Sequence, residues 1–194
     1  MPLTIPNVLT LLRLGVIPIV LGLFYVEWPG GREAAAILFA VAAITDWFDG
    51  WLARQLGQTS KFGAFLDPVA DKLLVAVSLV MLLHDAHRSG DSGAILAVLV
   101  AIIIGREITI SALREWMAEL GARTSVAVGT VGKIKTVFQM VAIWMMLWRD
   151  PLFDLPVYKL GFGLLFVAAV LTVYSMVVYL RAAWPFMRED HQLK

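Results

Sequence analysis

The sequence predicts an all-α, polytopic integral membrane protein, with six transmembrane helices around a polar chamber that faces the cytoplasm. Three observations predict it. Sixty per cent of the 194 residues are hydrophobic and only 16% are charged, against about 45–50% and about 25% in soluble domains. The apolar residues fall into six runs, most of them near the length of about 20 residues that a bilayer requires. The charged residues cluster in particular halves of particular runs instead of spreading along the chain. There is no Cys, so a disulfide framework, a thiol nucleophile and a thiolate metal site are all excluded.

The first apolar run is 8–26, interrupted by Arg13 and, at Pro18, by a residue that kinks a helix yet is tolerated in lipid. No basic stretch precedes it, so it reads as a retained helix and not as a cleaved signal. A Pro-Gly-Gly turn leads to helix 2, about 33–55, apolar first and then carrying Asp46, Asp49 and Arg54. Helix 3, about 61–84, reverses the order, polar through Asp71 and Lys72 and then apolar. A loop at 84–93 precedes helix 4, about 93–119, whose second half holds Arg106 and Arg114. Helix 5, about 126–148, begins with Lys133 and Lys135, and helix 6, about 157–182, is apolar nearly throughout. No repeat or long linker divides the chain, which reads as a single domain over 1–194.

With helices alternating in direction, the end of helix 2, the start of helix 3, the end of helix 4 and the start of helix 5 share one face. Every charged half lies there. That face and both termini hold twelve of the 16 Lys and Arg residues, and the opposite loops hold Arg32, Arg88, Arg149 and Lys159. Positive-inside bias therefore directs the chamber and both termini to the cytoplasm.

The stretch TDWFDGWLARQLGQTSKFGAFLDPVADK, residues 45–72, concentrates the chemistry. Asp46 and Asp49, and likewise Asp67 and Asp71, stand three or four residues apart, so on helices each pair shares a face. Acidic pairs among apolar segments are costly and mark functional sites, and hard divalent cations take carboxylate oxygens. Each feature also has a purely structural account. Asp67 before Pro68 has the form of a helix N-cap followed by Pro at the first helical position, and Gly50 and Gly63 suit close helix packing in lipid. Arg106 and Arg114, eight residues apart, lie on one side of helix 4 and fit a dianionic phosphate; both also fit as ordinary cytoplasmic-end charges beside Glu107 and Glu115. Asn7, Thr10 and Arg13 form a polar stripe that reads either as part of a binding surface or as a helix start at the membrane interface. His84 and His87, read as loop residues on the far face, and His191 in the tail are too remote to be ligands.

Asp46-x-x-Asp49-Gly50-x-x-Ala53-Arg54, eight residues, then Gly63-x-x-x-Asp67-x-x-x-Asp71 resembles the full signature of the CDP-alcohol phosphotransferases, eight fixed positions across 26 residues. IPNVLTLLRL, AFLDPVADK, GREITISALREWMAELG and the Gly-Lys-x-Lys-Thr at 132–136 are similar to the members that act on glycerol 3-phosphate. The resemblance implies transfer of the phosphatidyl group of CDP-diacylglycerol to sn-glycerol 3-phosphate, with release of CMP, in the bacterial cytoplasmic membrane. It implies a centre of one or two Mg²⁺ or Mn²⁺ ions on Asp46, Asp49, Asp67 and Asp71, with Asp71 also the general base. It assigns Asn7, Thr10, Arg13, Gly50, Ala53, Arg54 and Gly63 to the CDP-lipid and Arg106, Arg114, Lys133 and Lys135 to the acceptor phosphate. A homodimer is implied as well. Rival readings are another acceptor (phosphatidylglycerol, serine or an inositol phosphate) and a divalent-cation transporter, against which the nearly charge-free helices 1 and 6 argue.

Overall fold

A computed structural model describes residues 5–26, 28–56, 61–89, 93–119 and 130–189. Within these, the side chains of 5–7, 46–56, 61, 62, 64, 130, 131, 133 and 186–189 lie outside the description. Six helices make up the fold: α1 Ile5–Tyr25, α2 Gly31–Leu56, α3 Lys61–Arg88, α4 Gly93–Glu119, α5 Thr130–Trp148 and α6 Val157–Glu189. α1, α4 and α6 are each long and apolar enough to cross a membrane. α2, α3, α4 and α5 each carry a polar half, and the chain is an all-α, multi-pass membrane protein.

Several boundaries differ from those read in the sequence. α3 runs one turn past residue 84, so His84 and His87 are helical and not in a loop; the His84 ring meets Tyr25 at the end of α1 edge-on at 5.4 Å. Polar residues end the hydrocarbon span without ending the helix, because backbone hydrogen bonding continues in the interfacial zone. α6 likewise extends to Glu189. Asp67 and Pro68 lie inside α3, which begins at Lys61, so Asp67 is not the N-cap of this helix.

The helices pack as a bundle in which α1 lies along α2 and α3, α5 along α6 and α2, and α4 between α3 and α6. Among the described residues α4 and α5 make no direct backbone approach to each other. The interior is filled by Phe39, Leu74, Leu79, Leu82, Leu96, Ile103, Ile143 and Met146, all fully buried. Outward-facing apolar residues such as Leu12, Ile44, Val98 and Phe166 are exposed, as a lipid-facing surface requires. A smaller cluster of Ile110, Leu113, Met117, Tyr179 and Ala183 joins the polar half of α4 to α6.

At the end opposite the charged halves, Arg32 at the start of α2 grips Asp85 near the end of α3 with both amino groups, at 2.8 and 2.9 Å. Arg149, just after α5, donates to the same carboxylate and to Ser89. This clamp ties three helix ends together and shows that α2 runs opposite to both α3 and α5.

Glycine is needed where backbones meet. At Gly31 a Cβ would lie 2.6 Å from the Leu23 carbonyl, and at Gly161 one would lie 2.8 Å from Met145 Cβ and 3.0 Å from the Ala142 carbonyl. Gly163, two residues on, has nothing within 4 Å. Gly161→Val is therefore expected to destabilise the α5–α6 contact by about 1–3 kcal/mol in equilibrium unfolding from mixed micelles, with Gly163→Val near neutral. Equal losses would show that Gly161 does not set the approach of the two helices.

Candidate active site

On α3, Asp67 and Asp71 are one turn apart, and α1 engages both. The Thr10 hydroxyl donates to Asp67 Oδ1, and Arg13 Nη1 donates to Asp71 Oδ1 at 2.8 Å. Thr10 and Arg13, in the first turns of α1, are almost fully buried. A hydroxyl and a guanidinium from α1 thus hold the two carboxylates. Gly63 is buried in the first turn of α3.

Asp67, Asp71 and Lys72 form one wall of a cavity of about 510 Å³, within the range of small-ligand sites. α4 supplies a second wall through Arg106, Glu107, Ser111 and Arg114, and α5 a third through Thr136, Gln139 and Met140. The second aspartate pair and the two arginines thus face one space. Arg106 and Arg114 flank Tyr179 of α6, their guanidinium carbons 5.7 and 5.2 Å from its ring centroid. Arg114 Nη2 donates to the Tyr179 hydroxyl at 3.1 Å, and Arg106 Nη2 to Ser175 at 3.1 Å. The Nε of each is buried without a hydrogen-bond acceptor, so each retains a donor beyond those that α6 satisfies.

Lys135 is placed differently from the arginines. It does not line the cavity; its ammonium donates to Glu107, whose Oε1 also accepts from Arg106 Nη1 at 3.2 Å. Glu107 thereby shares its charge between two buried cations, and Lys135 bridges α5 to α4 across the gap between their backbones. Lys72 donates to Ser111 and closes the α3–α4 side. Asn7, Asp46, Asp49, Gly50, Ala53, Arg54 and Lys133 sit on helical backbone, but their side chains lie outside the described residues.

Glu107, Lys72, Gln139 and Tyr179 are cavity or supporting residues that the sequence did not single out. One signal was present: Thr172, Ser175 and Tyr179, at i, i+3 and i+7, form a polar stripe on an otherwise apolar α6. All three are buried, as a face turned to a polar neighbour must be.

The two carboxylates of α3, Asp67 and Asp71, are hard oxygen donors of the kind a divalent cation takes. Among the described residues no group of three or more His, Asp or Glu side chains stands close enough to hold a metal.

The family model described as CDP-alcohol phosphatidyltransferase matches residues 3–180. The chain is 51% identical to the CDP-diacylglycerol--glycerol-3-phosphate 3-phosphatidyltransferases of Escherichia coli strain K12 and Shigella flexneri serotype 5b, over 94% of this chain and 96% of each relative. It is 50% identical to the Salmonella choleraesuis protein of the same name, with the same coverage.

Removing Glu107 would strand two buried cations, and removing Lys135 would strand much of the charge on Glu107. Glu107→Gln and Lys135→Met are each expected to destabilise the detergent-solubilised protein, with the double variant losing about 1–3 kcal/mol less than the sum. Additive losses in mixed-micelle unfolding would mean that the two side chains are not coupled.

Proposed function

This chain belongs to the CDP-alcohol phosphatidyltransferase family, and from that premise we propose that it transfers the phosphatidyl group of CDP-diacylglycerol to sn-glycerol 3-phosphate, giving phosphatidylglycerophosphate and CMP. One observation carries the reading: Asp67 and Asp71 share a single cavity with Arg106 and Arg114. The family relationship supports the CDP-lipid as donor, the paired arginines support a phosphate-bearing acceptor, and the 50–51% identical relatives carry the name of this reaction.

The acceptor phosphate is held by Arg106 and Arg114, which Ser175 and Tyr179 keep in place on α6. Two guanidiniums favour this dianion over serine, which brings no phosphate. The acceptor's terminal hydroxyl then points toward α3. Its oxygen attacks the lipid-bearing phosphorus of the diphosphate, the bond from that phosphorus to the oxygen of CMP breaks, and the hydroxyl proton passes to Asp71. Arg13, bonded to Asp71 Oδ1, orients that carboxylate, and Thr10 does the same for Asp67. Asp46, Asp49, Asp67 and Asp71 would hold one or two Mg²⁺ or Mn²⁺ ions, which when bound neutralise diphosphate charge and polarise the reacting phosphoryl group. Arg54 would pair with the diphosphate, Gly50, Ala53 and Gly63 would leave room for the cytidine, and Asn7 would belong to the CDP-lipid side with Thr10 and Arg13. Lys133 would add positive charge at the acceptor side, and Lys135 acts there through Glu107.

The apolar exterior allows the lipid to arrive sideways from the bilayer. We place the protein in the bacterial cytoplasmic membrane as a homodimer, with the cavity and both termini on the cytoplasmic side, in keeping with the positive-inside distribution.

Purified protein in detergent with Mg²⁺ and CDP-diacylglycerol is expected to release CMP with sn-glycerol 3-phosphate and not with serine or phosphatidylglycerol. Chelation should stop the release and added Mg²⁺ restore it; CMP release with serine alone would overturn the acceptor assignment. Asp71→Asn should lower turnover by at least about a hundredfold, and a near-wild-type rate would remove it as the base. Arg114→Ala should raise KM for glycerol 3-phosphate about tenfold or more while leaving KM for the lipid unchanged; equal effects on both would take Arg114 out of the acceptor pocket.

A further inference from the structure

The α5 wall of the cavity holds a polar group that the transfer scheme does not use. Gln139 lines the cavity, is only 3% exposed, and has a side-chain carbonyl oxygen buried without a hydrogen-bond donor. An unpaired buried acceptor costs about 1–3 kcal/mol, a cost that an apolar residue of similar volume avoids. Thr136, one turn earlier on the same wall, has already donated its hydroxyl to the Gly132 carbonyl at 2.9 Å. Gln139 is the one amide among the described residues of the cavity, whose other polar side chains are hydroxyls or charged. A half-turn about χ3, a broad two-fold torsion, exchanges its carbonyl oxygen and amide nitrogen at the wall.

The three walls divide the ligand. The α4 arginines suit a phosphate and the α3 carboxylates a reacting hydroxyl, so a three-carbon acceptor reaching from α4 to α3 turns its middle carbon toward α5. A neutral amide that both donates and accepts suits a neutral hydroxyl there. We propose that Gln139 reads the non-reacting secondary hydroxyl of the acceptor and makes the site selective for a phosphorylated triol over a phosphorylated diol. This rests on the transfer reaction proposed above.

The test compares CMP release with sn-glycerol 3-phosphate and with 3-hydroxypropyl phosphate, which keeps the phosphate and the terminal hydroxyl but lacks the middle one. Wild-type protein is expected to prefer glycerol 3-phosphate by about a hundredfold in kcat/KM, because the analogue leaves a buried polar group unpaired. Gln139→Leu and the near-isosteric Gln139→Met should reduce the preference to within about threefold, by losing glycerol 3-phosphate turnover and keeping that of the analogue. That retained activity shows the variants are folded. The assignment is overturned if the variants slow both acceptors equally or change neither. It is also overturned, without any variant, if wild-type protein uses both acceptors within about threefold. If wild-type protein releases CMP with neither, the transfer reaction itself fails and this assignment falls with it; release with both and no preference sinks the assignment alone.

Discussion

The arrangement turns on Glu107. A cation buried in a bundle surrounded by lipid must be matched by a nearby anion, since desolvation of an unpaired charge costs several kcal/mol. Arg106 and Lys135 are both almost fully buried, and Glu107 accepts from each. Without it the charged half of α4 would have no place inside the fold. With it, α4 is fixed on three sides: to α5 through Lys135, to α3 through Ser111 and Lys72, and to α6 through Ser175 and Tyr179. The guanidiniums are therefore positioned before any ligand arrives, so binding does not have to order them.

A second division follows from the same economy of charge. The carboxylates on α3 are held from α1 by one hydroxyl and one guanidinium, whereas the arginines on α4 are held from α6 by two hydroxyls and an aromatic ring. Each charged group is oriented by a helix that is otherwise among the most apolar in the chain. Helices that look like inert membrane spans thus act as the supports of the site, and the lipid-facing and site-facing sides of α1 and α6 do separate work.

Much of this was legible from hydropathy and spacing. The six helices and the gathering of charged halves at one end followed from run lengths and alternation, and the bounds of α4 agree with the sequence reading. The longer α3 and α6 were not legible, because a fall in hydropathy marks where the bilayer ends and not where the helix does. The Asp67–Pro68 pair misled for a related reason: the dipeptide fits a helix start, but seven residues of α3 precede Pro68, and a membrane helix tolerates the missing hydrogen bond. Partnerships such as Thr10 with Asp67 and Arg13 with Asp71 join residues 57 and 58 positions apart, a relation no local pattern encodes. The sequence named Arg106, Arg114 and Lys135 alike, yet only packing separates the two that face the cavity from the one that neutralises Glu107.

One consequence concerns how such a scaffold diversifies. Between α4 and α5 no backbone contact among the described residues fixes the separation; a lysine–glutamate bridge and the side chains beside it close that side. A space bounded by rigid helix packing changes shape only when the helices move, which puts the whole bundle at risk. One bounded by side chains can be widened, narrowed or recharged by a few substitutions while the helices stay where they are. This seam is accordingly where selection for a new acceptor meets the least resistance, and where a library aimed at altered acceptor range is best concentrated.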